Sequence, residues 1–149
     1  MPQSYYSMLF HIVFTTKDRR PFIKPEVQPR LYSYLSALVH DRFGRPIRIG
    51  GVEDHVHMLI DKNPGVNEPD MLRDIKANSS RWMRKTFPEM ADFAWQVGYG
   101  IFSVSAPHRQ MVAEYIKRQP SHHRRVTFRD EFMRLLKRNN VEYDERYLL

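Results

Sequence analysis

The chain has 149 residues, no cysteine and a formal net charge of +7, from 24 lysines and arginines against 17 acidic residues. This length is most simply one domain, residues 1–149, with enough apolar side chains to bury a core. The absence of cysteine excludes a disulfide framework or a thiolate zinc site and fits a reducing compartment. No signal peptide or membrane-spanning run is expected. The basic excess predicts an anionic partner such as nucleic acid.

Hydrophobic periodicity predicts eight elements along the chain. They are a strand over 5–15, a helix over 27–43, a strand over 47–52, a strand over 54–60, a helix over 71–82, a strand over 94–104 bulged at its glycines, and helices over 107–120 and 128–139. The first six follow the β-α-β-β-α-β order of a ferredoxin-like α+β fold. We therefore predict an antiparallel sheet with helices on one face, plus two C-terminal helices.

The third predicted strand carries two histidines, His55 and His57, separated by one valine. Because strand side chains alternate, both imidazoles point to the same face, about one strand repeat apart, and can reach one divalent ion. In the ferredoxin-like topology the first strand pairs with this one, which places His11 on the same face. For His11, a hydrogen bond to a sheet neighbour is a simpler expectation than direct catalysis, although contact with DNA is also open.

The seventh element holds a tyrosine and a glutamine one helical turn apart, Tyr115 and Gln119. Both belong to an i, i+4, i+8 row beside a buried apolar stripe, with proline in the first turn and Pro120 as the expected stop. Amphipathic packing explains such a tyrosine, but a glutamine offering a carbonyl oxygen to the same point is less expected. Tyr115 and Gln119 can thus face one point in space.

These residues resemble those of the single-tyrosine HUH transposases of small bacterial insertion sequences. The resemblance covers nearly the whole chain. It runs through FHIVFTTK (10–17), GGVEDHVHMLI (50–60), WQVGYG (95–100), FSVS (102–105), Tyr115-Ile116 with Gln119, HHR (122–124) and VEYDERYL (141–148). It implies that Tyr115 is the catalytic nucleophile and that His55, His57 and Gln119 bind a metal ion, for which we expect Mg²⁺ or Mn²⁺.

The resemblance also implies a reaction and its partners. The expected substrate is single-stranded DNA with a hairpin at the element ends, cleaved and rejoined through a covalent 5′-phosphotyrosine. The expected assembly is a homodimer in the bacterial cytoplasm, whose tyrosine helix can dock on its own subunit or on the neighbour. The resemblance favours docking of the tyrosine helix on the neighbouring subunit.

Basic residues and histidines near these motifs are candidate DNA contacts. Between Pro107 and Asn139 there are nine bases and three acids, so most of the positive excess flanks Tyr115. A solvated basic helix face is an equal alternative for any one of them. Besides His11, the candidates are Arg73, Lys76, Arg81, Arg118, His122, His123, Arg124 and Arg125. For His122 and His123, expected in a break after the tyrosine helix, phosphate contact or solvation is favoured over metal ligation.

Two other functions remain open from the sequence. A non-catalytic nucleic-acid-binding regulator could keep the same fold, but it has no need for all four groups at His55, His57, Tyr115 and Gln119. A metal-dependent phosphodiesterase using water as nucleophile would tolerate the loss of Tyr115, whereas a tyrosine transposase would not.

Overall fold

A computed structural model describes residues 3–149. Its strands are β1 (Leu9–Thr15), β2 (Gly44–Gly51), β3 (His55–Lys62) and β4 (Gly100–Val104). Its helices are α1 (Gln28–Arg42), α2 (Glu68–Thr86), α3 (Arg109–Lys117), α4 (Gln119–His122) and α5 (Phe128–Arg138).

The four strands form one antiparallel sheet in the order β2-β3-β1-β4. This order and the β-α-β-β-α-β succession confirm the predicted ferredoxin-like α+β fold. Strands β1 and β3 are central neighbours, and their register pairs His11 with Leu59 and Val13 with His57. The histidines of β3 therefore lie in the middle of the sheet, with a strand on each side.

Helices cover both faces of the sheet. On one face, Ile12, Phe14 and Met58 pack with α1 and α2 in the largest apolar core. On the other face, Leu59 packs against α3, and Val13 packs against α5. The structure places His11, His55 and His57 on this second face, as the strand alternation predicts.

Close packing of α3 on the sheet depends on a glycine in β2. A Cβ atom at Gly50 would lie 2.8 Å from the backbone oxygen of Ile116 in α3. No side chain fits there without displacing the helix, so Gly50 allows α3 to approach the strand backbone. This contact fixes the height of the tyrosine helix above the histidine strand.

Two predicted strands are longer than the observed ones. The first begins at Leu9 rather than at residue 5, because its partner β3 ends at Lys62, whose N–H donates to the carbonyl of Met8. The fourth was expected from residue 94 but begins at Gly100. Gly98 has φ of 98°, a left-handed conformation that interrupts the strand, and only an isolated bridge links Trp95 to Thr16.

The prediction of one tyrosine helix ending at Pro120 was wrong. Helix α3 ends at Lys117, Arg118 has φ of −90° and ψ of 10°, and α4 begins at Gln119 with Pro120 in its first turn. Proline has no N–H to donate and is favoured at the start of a helix, so Pro120 opens a new helix instead of closing the old one. His122 consequently lies in α4 and His123 at its C-cap, not in an open break.

Among residues 3–149, no helix is both long and apolar enough to cross a membrane.

Candidate active site

His55 and His57 are both fully buried, with side chains that point from β3 toward α4 and α5. Their ring centroids lie 5.1 Å apart. The Nε2 atom of His55 lies 3.0 Å from Gln119 Oε1, and the Nε2 atom of His57 lies 3.1 Å from Glu131 Oε1. The two ε nitrogens thus face one polar cluster between the sheet and the C-terminal helices.

The δ nitrogens of the same rings have separate partners. His55 Nδ1 lies 2.7 Å from Asp54 Oδ1, and His57 Nδ1 lies 2.8 Å from His11 Nε2. Such outer hydrogen bonds fix the orientation of an imidazole and select which nitrogen is free to bind a metal. His11 is itself buried, so the structure places it behind His57 rather than on an exposed DNA surface.

Tyr115 and Gln119 reach the same cluster from α3 and α4. The Tyr115 hydroxyl donates a hydrogen bond to Glu131 Oε2, and its ring centroid lies 5.7 Å from that of His57. Gln119 is fully buried, and its Nε2 donates to Glu131 Oε2 over 2.7 Å. The structure therefore brings together all four residues of the sequence-based hypothesis, within one chain.

Glu131 is a site residue that the sequence analysis did not select. It lies on α5 three residues after Phe128 and one before Phe132, and its side chain is only 1% exposed. Residues three or four apart share a helix face, so Glu131 belongs to the face that packs on the sheet. An acidic residue within the apolar stripe of an amphipathic helix was the signal that could have identified it.

The carboxylate of Glu131 is surrounded by imidazoles. Its Oε1 lies 3.1 Å from His57 Nε2, 3.1 Å from His123 Nε2 and 3.5 Å from His55 Nε2. Its Oε2 lies 3.4 Å from His122 Nε2, which forms no hydrogen bond of suitable geometry. One carboxylate thus joins the histidines to the tyrosine.

Burial and hydrogen bonding separate the pKa values of the site. Burial would lower the pKa of His55, but hydrogen bonds to Asp54 and Glu131 outweigh it and raise this pKa to about 9. Burial lowers the pKa of His57 to about 4, and burial together with His57 lowers the pKa of His11 to about 3. At neutral pH the pair therefore contains one charged imidazole, His55, and one neutral imidazole, His57.

The acidic groups shift in opposite directions. Burial would raise the pKa of Glu131, but hydrogen bonds with His123, His55 and His57 hold it well below its usual range. Burial and the charge of Glu131 raise the pKa of Tyr115 well above its usual range. In this arrangement the tyrosine stays protonated.

The donor set fits a divalent metal ion. His55, His57, His123 and Glu131 each offer one ligand atom, and these atoms all lie within 4.8 Å of one another. Gln119 Oε1 lies beside His55 and can add a carbonyl oxygen. Nitrogen and oxygen donors without thiolate suit Mn²⁺ and related ions. The carboxylate is a hard ligand, so a set that includes it favours hard cations more than two imidazoles and an amide would.

Apart from His11 and His123, which form hydrogen bonds with His57 and Glu131, the predicted DNA contacts fall into two groups. Arg118, Arg124 and Arg125 line a depression together with Tyr115 and His122. A smaller cavity on the other side of Tyr115 is bounded by two further bases from α5, Arg134 and Arg138, which the sequence analysis did not single out.

The remaining three predicted contacts are on α2, which packs on the opposite face of the sheet. Arg73 pairs with Asp70 at 3.2 Å, Arg81 donates to Asn78 at 2.7 Å, and Lys76 donates to the carbonyls of residues 96 and 98. The structure does not bring these three residues to the tyrosine.

Comparisons with known proteins agree with this architecture. A crystal structure from Deinococcus radiodurans R1, described as a candidate transposase, superposes with a TM-score of 0.63 at 24% identity and covers 80% of this chain and 98% of that one. A REP-associated tyrosine transposase bound to a REP hairpin superposes with a TM-score of 0.61 at 15% identity, covering 100% of this chain and 90% of that one. At these identities the two superpositions show a shared fold.

Sequence comparison identifies the family. The ISDra2 transposase TnpA of Deinococcus radiodurans is 26% identical over 119 residues, which cover 76% of this chain and 85% of that protein. The family model described as "Transposase IS200 like" matches residues 4–119, well over half of the chain. The chain therefore belongs to the family of IS200-like transposases.

Proposed function

We propose that this transposase is a metal-dependent enzyme that cleaves and rejoins single-stranded insertion-sequence ends through Tyr115. One observation carries the proposal: Tyr115 and Gln119 lie in hydrogen-bonding contact, directly or through Glu131, with His55 and His57. A nucleophile, two imidazoles and an amide oxygen converge on one point, although they come from three elements. Residues 1–149 form the single HUH domain that performs this reaction.

The reaction is an attack of the tyrosine hydroxyl on a DNA phosphodiester. The bond from Tyr115 Oη to phosphorus forms while the bond from phosphorus to the 3′ oxygen breaks, and the hydroxyl proton ends on that oxygen. The products are a 5′-phosphotyrosine and a free 3′-hydroxyl, so the bond energy is kept for rejoining without a nucleotide cofactor. Attack of a 3′-hydroxyl on the phosphotyrosine reverses the step and joins a new strand.

A metal ion is needed because tyrosine is a weak nucleophile. An ordinary tyrosine, with a pKa near 10, has only about one phenol in a thousand ionised at neutral pH, a deficit of about 4 kcal/mol in the nucleophilic form. The raised pKa of Tyr115 makes this deficit larger. Mg²⁺ or Mn²⁺ held by His55, His57 and Gln119 would polarise the scissile phosphate and stabilise the leaving oxygen. Asp54 and His11 keep the two imidazoles oriented for this role.

The DNA strand is proposed to cross the basic depression beside Tyr115. Arg118, Arg124 and Arg125 surround the opening, and phosphate contacts from arginine position a strand without reading its sequence. The related structure bound to a REP hairpin supports a hairpin substrate. Arg73, Lys76 and Arg81 lie on the other face of the sheet and can contact only parts of the hairpin remote from the scissile phosphate.

The proposed assembly is a homodimer that acts on DNA in the bacterial cytoplasm. The family resemblance favours exchange of the tyrosine helix between subunits, but α3 of this chain packs on its own sheet through Gly50 and Leu59. We therefore propose that each active site is built within one subunit. Dimerisation then serves to hold two DNA ends together.

Incubation of the protein with 5′-labelled and 3′-labelled single-stranded element ends in Mg²⁺ or Mn²⁺ tests the function. We expect a shortened strand with a free 3′-hydroxyl and a covalent protein adduct on the 5′ side in a denaturing gel. The same sequences as duplexes and a reaction with EDTA are the controls. Binding of the hairpin without cleavage in either metal would favour the non-catalytic regulator instead.

A further inference from the structure

A carboxylate is buried at the centre of the histidine cluster without a permanent cation beside it. The side chain of Glu131 is 1% exposed. Its ion-pair partners within residues 3–149 are four histidines, and none is a lysine or arginine. A buried charge needs compensation, because an unpaired ion in the protein interior is strongly unfavourable.

The two oxygens of this carboxylate face different groups. Oε1 faces the imidazoles of His55, His57 and His123, whereas Oε2 accepts hydrogen bonds from Tyr115 and Gln119. The carboxylate can therefore bind a cation through Oε1 and keep its contacts to the nucleophile through Oε2.

The separations around Oε1 match those between neighbouring metal ligands. Metal–nitrogen and metal–oxygen bonds of about 2.1–2.2 Å place adjacent ligands of an octahedral ion about 3 Å apart. Glu131 Oε1 lies 3.1 Å from both His57 Nε2 and His123 Nε2, and 3.5 Å from His55 Nε2. An ion can thus enter with small movements of the side chains.

We propose that Glu131 and His123 are further ligands of the metal ion, which is then held by one chain through β3, α4 with its C-cap, and α5. This inference rests on the proposed metal-dependent function. The family match ends at residue 119, so both residues lie outside the part of the chain that it covers. A carboxylate ligand adds negative charge and a hard oxygen, which favours Mn²⁺ and Mg²⁺ over softer ions at this nitrogen-rich site.

Calorimetric titration of Mn²⁺ into the full chain without DNA tests the assignment. We expect one ion per native chain and at least a tenfold loss of affinity in Glu131→Gln, which keeps the shape of the side chain and removes its charge. His123→Asn should also lower the affinity for Mn²⁺ at least tenfold. The matched control is Asp130→Asn, the exposed neighbour on the same helix, which should stay within twofold of native.

The outcomes separate this inference from the proposed function. If His57→Ala loses Mn²⁺ binding while Glu131→Gln stays within twofold of native, Glu131 is not a ligand and the metal-dependent function stands. If His123→Asn alone stays within twofold, His123 is removed from the ligand set. If the folded native protein binds no Mn²⁺, both the inference and the metal-dependent function are overturned.

A measurement on the native protein covers the case in which Glu131→Gln does not fold. Crystals soaked in Mn²⁺ should show an anomalous peak within about 2.5 Å of Glu131 Oε1 and of the ε nitrogens of His57 and His123. A peak bound by His55 and His57, with Glu131 more than about 4 Å away, would overturn the assignment.

Discussion

The Tyr115 hydroxyl donates a hydrogen bond to Glu131, a residue of the following long helix. The proposed nucleophile is therefore restrained by a negative charge, which keeps its proton in place and raises its pKa. To attack a phosphate, the hydroxyl must turn from Oε2 toward the DNA. Glu131 consequently holds the tyrosine in a resting position beside the histidines that are proposed to bind the metal ion.

Removal of this hydroxyl alone should abolish the chemistry. We expect Tyr115→Phe to form no cleavage product and no covalent adduct, with hairpin affinity within about twofold of native, because the ring packing is kept. A denaturing gel and a binding titration measure the two effects. Tyr143→Phe, at a tyrosine in the apolar cluster of α5, is the control and should cleave normally. Cleavage by Tyr115→Phe would mean that water is the nucleophile.

The basic depression should produce a salt-dependent affinity. On a single strand, log K falls with log salt by about 0.7 for each neutralised phosphate, so the double variant Arg124→Ala, Arg125→Ala should lower the slope by about 1.4. Fluorescence anisotropy at several salt concentrations measures it. Arg73→Ala removes a charge from the opposite face and should leave the slope unchanged. If Arg73→Ala lowered the slope more than the double variant does, the DNA would lie on α2 instead.

Mixing two inactive variants should reveal which chain supplies the tyrosine. If each site is built within one subunit, a purified heterodimer of differently tagged Tyr115→Phe and His57→Ala chains contains no complete site and stays inactive. The positive control is a heterodimer of the native chain with a chain that carries both Tyr115→Phe and His57→Ala. It contains one complete site and should retain about half of the native activity. Activity in the first heterodimer would show that the tyrosine helix completes the neighbour's site.

Stability of the metal-free protein should be greatest near pH 6.5. The pKa of His55 is raised to about 9, so its contribution is complete below about pH 6.5 and is lost as the pH rises toward 9. The pKa values of His57 and His11 are lowered to about 4 and 3, so these groups favour unfolding as the pH falls below 6.5. Each unit by which the pKa of a group differs between the folded and unfolded protein changes the free energy of unfolding by at most about 1.4 kcal/mol.

Urea unfolding in EDTA at pH 5, 6.5, 7.5 and 9 checks this optimum. Asp54→Asn should reduce the loss of stability between pH 6.5 and 9, because Asp54 is one of the two acids that raise the pKa of His55. Glu53→Gln, which removes a half-exposed acid paired with Lys24 at 3.6 Å, should keep the native slope. A stability that rises from pH 6.5 to 9 would show that His55 is neutral in the folded protein.

The parts of the site that could be predicted are those that depend on local periodicity. Alternation along β3 is sufficient to place His55 and His57 on one face, and the topology of the sheet adds His11. The helical row of Tyr115 and Gln119 gave the correct neighbours but the wrong geometry, because Pro120 starts a second helix. Short-range patterns are thus reliable for direction and less so for the ends of elements.

The position of Glu131 in the apolar stripe of α5 marks it as unusual, but its role could not be predicted because that role depends on contacts that are distant in sequence. Its importance arises only when α5 packs across the sheet and brings residue 131 to residues 55 and 57. The same holds for the α2 bases, whose charge suggested DNA but whose helix packs on the other side. Composition predicts the sign of a partner's charge, whereas only packing decides which face meets it.

The break at Arg118 places the proposed nucleophile and the proposed amide ligand on different helices. Tyr115 is carried by α3, whereas Gln119 is carried by α4, and one non-helical residue joins them. A DNA end attached to the tyrosine would therefore be carried by α3, while the amide oxygen that lies beside His55 belongs to a separate helix. Attachment of a strand would thus leave the amide and imidazole donors in place for the rejoining step.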